Sequence, residues 1–584
     1  MPTLTGQFLD RLRSVLMIDQ NLLILAALIG FVAGLASTFF RWMIHFFNSV
    51  FSTDGFSIVG VSPEMYPFLL PLMPMLGGCV IGAICKFFPN AVTENGVHKV
   101  MYAVALNDGK VRKRTIASCA VTSSVTIGSG GSAGREGPTV QIGAAIGSAF
   151  GQLLRVSAER MRVLVGCGAA AGIAASFNAP LAGVLFALEI ILGDFAIHTF
   201  SPIIIASVIG TVTGRALEGN EVTFNVPMHE LVSPLEIVFY LGLGVLAGVT
   251  ARLFTFTYFY VQQTFEEKLD IPQYFKPALG GFIVGMISIF LPQILGNGYE
   301  FMEQTLAGQM FWGMAFLLVF MKIMCTSITL GSGGMGGVFA PSLFIGSMLG
   351  AVFGSGVHWA FPALTASPET YAVVAMGAVA GAVMQAPLTN ILMLFELTND
   401  YTLILPIMVS CIVSAYTFQS FTKNSIYVQY LLNKGVNIRH GREMSILNSI
   451  KVKDVMSSEF TTIAQEMPFR KILETIAYSK NLYFPVLDSK GDMTGILSFS
   501  DIREVMFDEE LGDLIVAGEL ATQKVLALMP EQNLNEAMEI FAQLDVEQLP
   551  VVRSDDRVKV IGMVTRGDVL SSYNREILVS GFDR

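Results

Sequence analysis

The chain has 584 residues, 53% of them hydrophobic and only 14% charged, and its formal net charge is −10. Because an ordinary globular domain carries about 25% charged residues, much of this chain is predicted to lie in lipid rather than in water. The negative charge disfavours a nucleic-acid partner. The six cysteines lie in apolar segments without a CxxC pair, so they are interpreted as small core residues, and no metal site is predicted.

The chain opens on a basic, amphipathic segment, residues 1–20, in which no cleavable signal peptide is evident. Apolar runs then recur up to about residue 433. They cover residues 22–50, 66–88, 115–134, 139–154, 163–195, 200–216, 235–262, 277–295, 311–330, 338–362, 370–398 and 403–421. A spanning helix needs about 20 apolar residues, and several runs are shorter or are broken by Gly and Pro. Broken helices are tolerated only where their ends face protein or a water-lined cavity. The pattern predicts an α-helical polytopic membrane protein with the interior of a transporter or channel.

Two adjacent charged residues separate two uncharged stretches of this apolar sequence. The stretch GREGP, residues 134–138, places Arg135 and Glu136 between two runs without any charged residue, 115–134 and 137–154. Burial of a charge in such surroundings is costly. Glu136 is therefore a candidate functional residue.

The apolar half contains an internal repeat. GSGGSAGREGPTVQIG (128–143) is matched by GSGGMGGVFAPSLFIG (331–346) at an offset of 203 residues, and FNAPLAGVLFALE (177–189) is matched by MQAPLTNILMLFE (384–396) at an offset of 207. Two matches in the same order indicate a duplicated unit, approximately residues 22–216 and 235–433. Duplicated units of transporters are often inverted and place the substrate site at the repeat interface.

In both repeats a proline follows a Gly-rich loop and opens an apolar run, which suits the first position of a helix. The helix N-terminus offers free N–H groups and a positive dipole end, and glycines let a ligand approach that backbone. Two such termini would form an anion site without a full positive charge. Close helix packing by small residues is the alternative explanation, and two loops in register favour the site.

These segments resemble the CLC family of chloride channels and chloride/proton exchangers over nearly the whole apolar half. GREGP (134–138) and GVFAP (337–341) match two anion-site signatures, and NAPLAG (178–183) and NSIY (424–427) fall where the family has related segments. The resemblance implies a homodimer with one pore in each subunit, in the bilayer of the cell (inner) membrane. The basic cluster at 110–114 indicates a cytoplasmic loop, and the N-terminus and the C-terminal tail are expected to be cytoplasmic.

The resemblance also assigns roles. Glu136 matches the external gating glutamate, whose charge occupies the outer anion site until protonation or displacement frees the path. Val338 and Phe339 match residues whose backbone amides bind the central anion, and Tyr427 matches the tyrosine that closes its inner side. The flanking signature residues complete the predicted anion-binding set: Arg135, Gly137, Gly337 and Ala340. An ion pair between Glu136 and its neighbour Arg135 is the structural alternative, which adjacent side chains generally do not form.

One departure from the family concerns the anion. The first signature is usually Gly-Ser-Gly-Ile-Pro, and the corresponding stretch here is Glu94-Asn95-Gly96-Val97-His98. Asn95 replaces the serine that contacts the central anion, and Asn95 and Gly96 are both predicted to bind it, since an amide N–H can donate to an anion. Selectivity among chloride, nitrate and fluoride stays open, although GVFAP and Tyr427 favour the chloride-type branch.

A second departure concerns protons. Many exchangers of the family carry a pair of glutamates after the NAPLAG segment, and the second is the inner proton relay. Here the pair reads Glu189-Ile190, and Ile190 cannot titrate. Family channels have an apolar residue there, but some exchangers also work without this glutamate. Glu189 is matched by Glu396 in the second repeat, which indicates a structural role at a helix end for both.

After a polar linker, residues 434–450, the chain reads as a soluble α/β tail, residues 451–584. LYFPVLDSKGDMTGILSFSDI (482–502) is matched by EQLPVVRSDDRVKVIGMVTRGDV (547–569), which resembles a pair of CBS domains, approximately 451–510 and 517–575. Such pairs commonly bind ATP, ADP or AMP. Asp501 and Asp568 match positions that accept from ribose hydroxyls, with Ser498 and Thr565 near the phosphates. Capping of the following helix is an equally good explanation of each Asp.

The sequence therefore predicts chloride/proton exchange gated by Glu136 and regulated by the tail, with no required cofactor. A passive voltage- or pH-gated channel, suggested by Ile190, is the alternative, and a fluoride or nitrate transporter is a more remote one. A membrane metalloprotease would need HExxH within a span, and a magnesium transporter would need acidic clusters; both features are absent from the sequence. An enzyme is not predicted, because the sequence offers no nucleophile–base constellation.

Overall fold

The computed structural model describes residues 22–51, 69, 71–88, 96–219, 224, 232–436, 447, 450–477, 479, 481–505, 514–523, 525–544, 546–556 and 558–582. These residues form two compact units that divide between residues 436 and 437. The predicted N-terminal amphipathic helix and Asn95 lie outside the described residues.

The first repeat consists of helices joined by loops and turns in its described part. Its helices are α1 (Leu22–Phe51), α2 (Leu72–Phe87), α3 (Val97–Leu106), α4 (Arg114–Gly128), α5 (Glu136–Leu154), α6 (Ala158–Phe177), α7 (Pro180–Leu185) and α8 (Ile197–Glu218). Helix α7 continues directly into a π-helical segment, Phe186–Leu192.

The second repeat follows the same plan. Its helices are α9 (Glu236–Gln263), α10 (Lys276–Ser288), α11 (Tyr299–Leu306), α12 (Trp312–Gly331), α13 (Phe339–Ala360), α14 (Pro368–Met384), α15 (Pro387–Thr398), α16 (Ile404–Phe421) and α17 (Ile426–Asn433). Helix α9 extends as a π-helical segment over Thr264–Lys268, and 3₁₀ turns cover Pro292–Ile294 and Tyr401–Leu403.

Two predicted runs are each broken into two helices. The run 163–195 is interrupted after α6 and the run 370–398 after α14, where Asn178 and Gln385 adopt left-handed conformations with φ of 57° and 54°. A left-handed residue ends a helix, and the Ala-Pro that follows each of them starts the next helix because proline suits a first turn. The two breaks occupy equivalent positions of the repeats.

Helix packing explains which helices lie inside. Seven helical segments of the described residues are long and apolar enough to cross a membrane, and large apolar side chains such as Phe39, Trp42 and Tyr416 are exposed on them. Helix α6, which is one of these seven, and the shorter helix α14 are buried over almost their whole length. Glycines make this possible, because a Cβ on Gly143 or Gly168 would overlap the backbone of the facing helix.

The prolines of the two signatures are not at the first helical position. Pro138 and Pro341 are each the third residue of their helices, α5 and α13. The first helical residues are Glu136 and Phe339. Proline is tolerated there because the N–H groups of a first turn have no acceptor within the helix. The predicted register was therefore wrong by two residues, and the Glu136 carboxylate stands at the helix start itself.

The C-terminal unit is α/β. Its strands are β1 (Ile463–Ala464), β2 (Tyr483–Leu487), β3 (Met493–Ser498), β4 (Gln548–Val552) and β5 (Val560–Thr565), and its helices are α18 (Phe469–Ala477), α19 (Phe499–Val505), α20 (Ala517–Leu520), α21 (Leu534–Leu544) and α22 (Arg566–Phe582). Strand β2 pairs parallel with β1 and antiparallel with β3, and β4 pairs antiparallel with β5. Two apolar cores result, and Val452 packs into the second of them with Leu528 and Val551.

Candidate functional site

The two Gly-rich loops of the repeats meet at one point. Gly134 N–H donates to the Gly337 carbonyl over 2.8 Å, and Gly337 N–H donates to the Gly134 carbonyl over 2.7 Å. These glycines occupy the same position in the two repeats. The reciprocal, antiparallel bridge brings the starts of α5 and α13 together, as the inverted-repeat hypothesis requires.

Other contacts repeat this reciprocity. Ser132 N–H donates to Thr329 Oγ1 over 3.2 Å, and Met335 N–H donates to Thr126 Oγ1 over 3.1 Å. Each donor and each acceptor has its counterpart in the other repeat at the offset of 203 residues. A local twofold axis therefore passes between the two loops.

Glu136 is the first residue of α5 and is 1% exposed. Its Oε2 accepts from the backbone N–H of Ala340 at 3.3 Å, and its Oε1 accepts from the hydroxyl of Tyr299 at 2.6 Å. Ala340 is the second residue of α13. The carboxylate of one repeat thus occupies the helix N-terminus of the other, where a free anion would bind.

A cavity of about 740 Å³ lies beside these helix starts. Five predicted anion-site residues line it: Gly96, Gly137, Gly337, Val338 and Tyr427. The structure therefore brings residues from four separate segments of the chain to one cavity. Glu136, Arg135, Phe339 and Ala340 are not among its lining residues; the last two are 2% and 0% exposed, at the beginning of α13.

Gly96 departs from its predicted role in one respect. It precedes α3 with a φ of 120°, and its N–H donates to Gln141 Oε1 over 2.6 Å. That amide is used within the protein and is not offered to an anion. His98 stands at the second position of α3 on the cavity wall, with its ring centroid 4.0 Å from that of Tyr430.

Arg135 does not hydrogen-bond to Glu136 among the described contacts. Its guanidinium lies 5.7 Å from the ring centroid of Phe177 and 5.1 Å from that of Tyr299, and it donates to the Ser176 carbonyl over 3.4 Å. The described contacts therefore do not support the structural alternative, an ion pair between Glu136 and Arg135. Arg135 therefore places a positive charge beside the ring whose hydroxyl donates to Glu136.

The sequence analysis missed Tyr299 and Lys322. Tyr299 begins α11 and reaches Glu136 from 163 residues away in sequence. Lys322 is fully buried in α12 and donates to the carbonyls of Ile294 and Gly296, both over 2.9 Å. A lone lysine in the apolar run 311–330 was a visible signal, since an ionisable residue within a span marks a functional position. No comparable signal pointed to Tyr299.

Ile190 lies in the π-helical segment after α7 and is 6% exposed. This segment packs against α3, which starts at the cavity. An isoleucine offers no proton donor or acceptor there.

Glu189 and Glu396 form a second reciprocal pair of contacts. Glu396 accepts from the N–H groups of Leu181 and Ala182 over 2.9 and 2.8 Å. Glu189 accepts from the N–H groups of Leu388 and Thr389 over 3.2 and 2.7 Å, and from the Thr389 hydroxyl. Glu396 of the second repeat therefore caps the N-terminus of α7 in the first repeat, and Glu189 of the first repeat caps the N-terminus of α15 in the second. The predicted helix-end role fits this geometry, but the helix belongs to the opposite repeat.

In the tail, both predicted nucleotide-site pairs form capping boxes. Asp501 Oδ2 accepts from the N–H and the hydroxyl of Ser498, both over 2.7 Å. Asp568 Oδ2 accepts from the N–H and the hydroxyl of Thr565 over 3.0 and 2.6 Å. These bonds start α19 and α22. Within the described contacts the second oxygen of each carboxylate takes no hydrogen bond, so capping and ribose binding are compatible.

Comparison with known proteins extends these observations. The family described as "Voltage gated chloride channel" matches residues 77–419, and the CBS domain family matches residues 452–508 and 517–575. A putative chloride channel protein, ClcB-like, of Ralstonia nicotianae is 35% identical over 70% of this chain and 96% of its own length. The H(+)/Cl(-) exchange transporter ClcA of Vibrio parahaemolyticus is 30% identical over 70% of this chain and 89% of its own length.

The solved structure of a slow cyanobacterial Cl⁻/H⁺ antiporter is similar with a TM-score of 0.65 and 26% identity. The region of similarity covers 71% of this chain and 97% of the antiporter chain.

Proposed function

This chain belongs to the voltage gated chloride channel (CLC) family, and from that premise we propose that it exchanges chloride for protons across the membrane, with Glu136 as the gate. The family makes it a multi-pass membrane protein that transports chloride. A place in the cell (inner) membrane, with both termini cytoplasmic, is part of the proposal. So is a homodimer with one path per subunit.

One observation carries the mechanism. The Glu136 carboxylate is bound at the N-terminus of α13 through the Ala340 amide, where a chloride ion would be stabilised by the same N–H groups and helix dipole. Carboxylate and chloride therefore compete for one position. When Glu136 takes up a proton its charge is lost, it leaves the helix end, and chloride enters. When the proton leaves, the carboxylate returns and displaces chloride.

Beyond the gate, the cavity beside Val338 and Tyr427 receives the anion from the cytoplasmic side. The backbone amides of Val338 and Phe339, at the start of α13, have no intrahelical acceptor and supply donors there. Such sites bind an anion without a full opposing charge, which lets it leave again.

The test is chloride flux from liposomes that contain purified Glu136→Gln. Glutamine fills the same volume without titrating, so flux is expected to continue but to lose its dependence on external pH and its proton coupling. Flux with the wild-type pH dependence would show that Glu136 is not the gate.

A passive chloride channel is the second candidate, and Ile190 favours it. In an exchanger, protons must pass from Glu136 to the cytoplasm beside the buried Ile190, so a chain of water molecules has to carry them. Apolar sites hydrate poorly. We therefore expect proton coupling to be slow or loose. The similarity to an antiporter and to an exchange transporter supports exchange over a channel.

The anion preference rests on Asn95, outside the described residues. Asn95→Ser restores the family's usual residue and is expected to change the permeability ratios of chloride, nitrate and fluoride. Unchanged ratios would remove Asn95 from the anion site and leave the fluoride and nitrate alternatives without support.

We propose further that the tail regulates transport by binding ATP, ADP or AMP. In support, Asp501 and Asp568 each keep one carboxylate oxygen outside the capping boxes, and Ser498 and Thr565 directly precede α19 and α22. The nucleotide is a regulator in this account, and transport itself requires no cofactor.

A further inference from the structure

We propose that Tyr299 is the latch of the gate: its hydroxyl holds the Glu136 carboxylate in the closed position and so sets the external pH at which the path opens. Tyr299 is a positioning residue that acts through Glu136. The proposal rests on the gating function of Glu136 proposed above.

The hydrogen bonds to Glu136 are unequal. The Tyr299 hydroxyl lies 2.6 Å from Oε1, whereas the Ala340 amide lies 3.3 Å from Oε2. A short O–H···O⁻ bond is the stronger of the two, and burial strengthens it further. Tyr299, not the helix end, is thus the principal partner of the closed carboxylate.

The latch is fixed in place from both repeats. Tyr299 follows Gly298, whose φ of 79° turns the chain into α11. The preceding loop is tied to α12 by the two hydrogen bonds from Lys322 to Ile294 and Gly296, and to the first repeat by Gly296 N–H, which donates to the Gly130 carbonyl over 3.2 Å.

The Tyr299 ring is itself confined. The Arg135 guanidinium lies 5.1 Å from its centroid, and the Phe224 ring meets it edge-on at 5.7 Å. The hydroxyl therefore stays near one position while the Glu136 side chain moves. Release takes place at the carboxylate, which accepts a weaker hydrogen bond once it is protonated.

The charged and titratable groups around the gate come from several elements: Arg135 before α5, Tyr299 on α11, Arg41 on α1 and Tyr427 on α17. Among them Tyr299 donates a hydrogen bond to the ionised carboxylate. Removal of the Tyr299 hydroxyl takes away a hydrogen bond that stabilises the ionised carboxylate. Glu136 is then protonated more readily, so the path opens at a higher external pH.

The experiment measures chloride flux from liposomes against external pH for wild type, Tyr299→Phe, Glu136→Gln and the double variant. A hydrogen bond to a carboxylate corresponds to about a tenfold change in proton affinity. Tyr299→Phe is therefore expected to move the pH of half-maximal flux upward by about one unit. Added to Glu136→Gln, it should change nothing, because no carboxylate is left to hold.

Tyr371→Phe is the matched control. Its hydroxyl donates over 2.9 Å to Glu236 Oε1, a fully buried carboxylate that also accepts from Tyr240 and from the Ala366 amide. This pair lies outside the cavity wall, so its loss should leave the pH profile unchanged.

The outcomes separate the two proposals. If Glu136→Gln keeps a wild-type pH profile, the gate assignment fails. If Glu136→Gln is pH-independent while Tyr299→Phe keeps the wild-type profile, the latch alone is overturned. Should Tyr299→Phe not fold, 3-fluorotyrosine at position 299 retains the ring and donates more strongly. It should move the half-maximal pH downward, and an unchanged profile would again overturn the latch.

Discussion

Gly134 and Gly337, equivalent residues of the two repeats, donate a backbone hydrogen bond to each other's carbonyl, over 2.8 and 2.7 Å. The proposed anion site is arranged around this contact. It sets the starts of α5 and α13 side by side, so that a side chain from one helix start reaches the amides of the other. The Glu136 carboxylate accepts from the Ala340 amide in this way, and chloride is expected to bind the same amides.

The bridge leaves no room for a side chain on Gly337. A Cβ there would lie 2.8 Å from the backbone nitrogen of Gly137, and backbone cannot move aside cheaply. Gly337→Ala is expected to lower the thermal stability of the detergent-solubilised protein and its yield. Gly356→Ala, within α13 and with open space around it, should be neutral or slightly stabilising. Equal stability of the two variants would contradict this packing.

Gly134→Ala should act on the gate rather than on the fold. A Cβ at Gly134 would overlap Glu136 Oε2, the far end of a flexible side chain that can swing away, and would lie 3.1 Å from the Ala340 nitrogen and 3.2 Å from its Cβ, which have to give by a few tenths of an ångström. The variant is expected to hold the carboxylate off the Ala340 amide and to conduct chloride with reduced dependence on external pH. Flux measured across an external pH series would reveal a wild-type profile if the carboxylate were not displaced.

Variants of the capping carboxylates Glu189 and Glu396 distinguish a structural role from a role in proton transfer. Glu396→Ala removes both acceptors at the start of α7, and loss of an N-terminal cap costs about 0.5–2 kcal/mol. Its melting temperature should fall. Glu189→Gln keeps one acceptor for α15 and is expected to retain proton coupling, because Glu189 is held by Leu388 and Thr389. Loss of coupling in folded Glu189→Gln would make Glu189 a proton carrier instead.

Much of this architecture was accessible from sequence because glycine and proline mark it. The signatures 134–138 and 337–341 and the two offsets predicted paired helix starts, and helix capping was one of the two explanations that the sequence offered for Asp501 and Asp568. The breaks at Asn178 and Gln385 were missed since the flanking residues are apolar on both sides. Helices α3, α11 and α17 have only 8–10 residues, too few to register as apolar runs.

What escaped prediction at the site depends on tertiary contacts. Nothing local relates Tyr299 to Glu136, and the amide of Gly96 could not be known to meet Gln141 before the fold placed α3 beside α5. The position of each proline was also misjudged, because any of the first three residues of a helix can be proline without loss of a hydrogen bond.

The tail makes a separate prediction. Heat of binding of ATP, ADP or AMP to the full-length protein should be measurable and should weaken in Asp501→Ala or Asp568→Ala. Each variant also loses a capping box, about 1 kcal/mol. Asn533→Ala is a useful control, since Asn533 accepts from Glu536 N–H at the start of α21 and caps a helix to which neither Asp belongs. If that variant weakens binding as much, the Asp residues act by stability alone, and no binding of any of the three would leave the tail without the proposed ligand.

The most direct measurement is the reversal potential of the purified wild-type protein in liposomes under a fixed chloride gradient, with and without a pH gradient. Exchange through Glu136 predicts a reversal potential that departs from the chloride equilibrium value and shifts when the pH gradient is applied, while Glu136→Gln stays at the chloride value throughout. A wild-type reversal potential that sits at the chloride equilibrium value and ignores the pH gradient would contradict exchange and make this protein a channel.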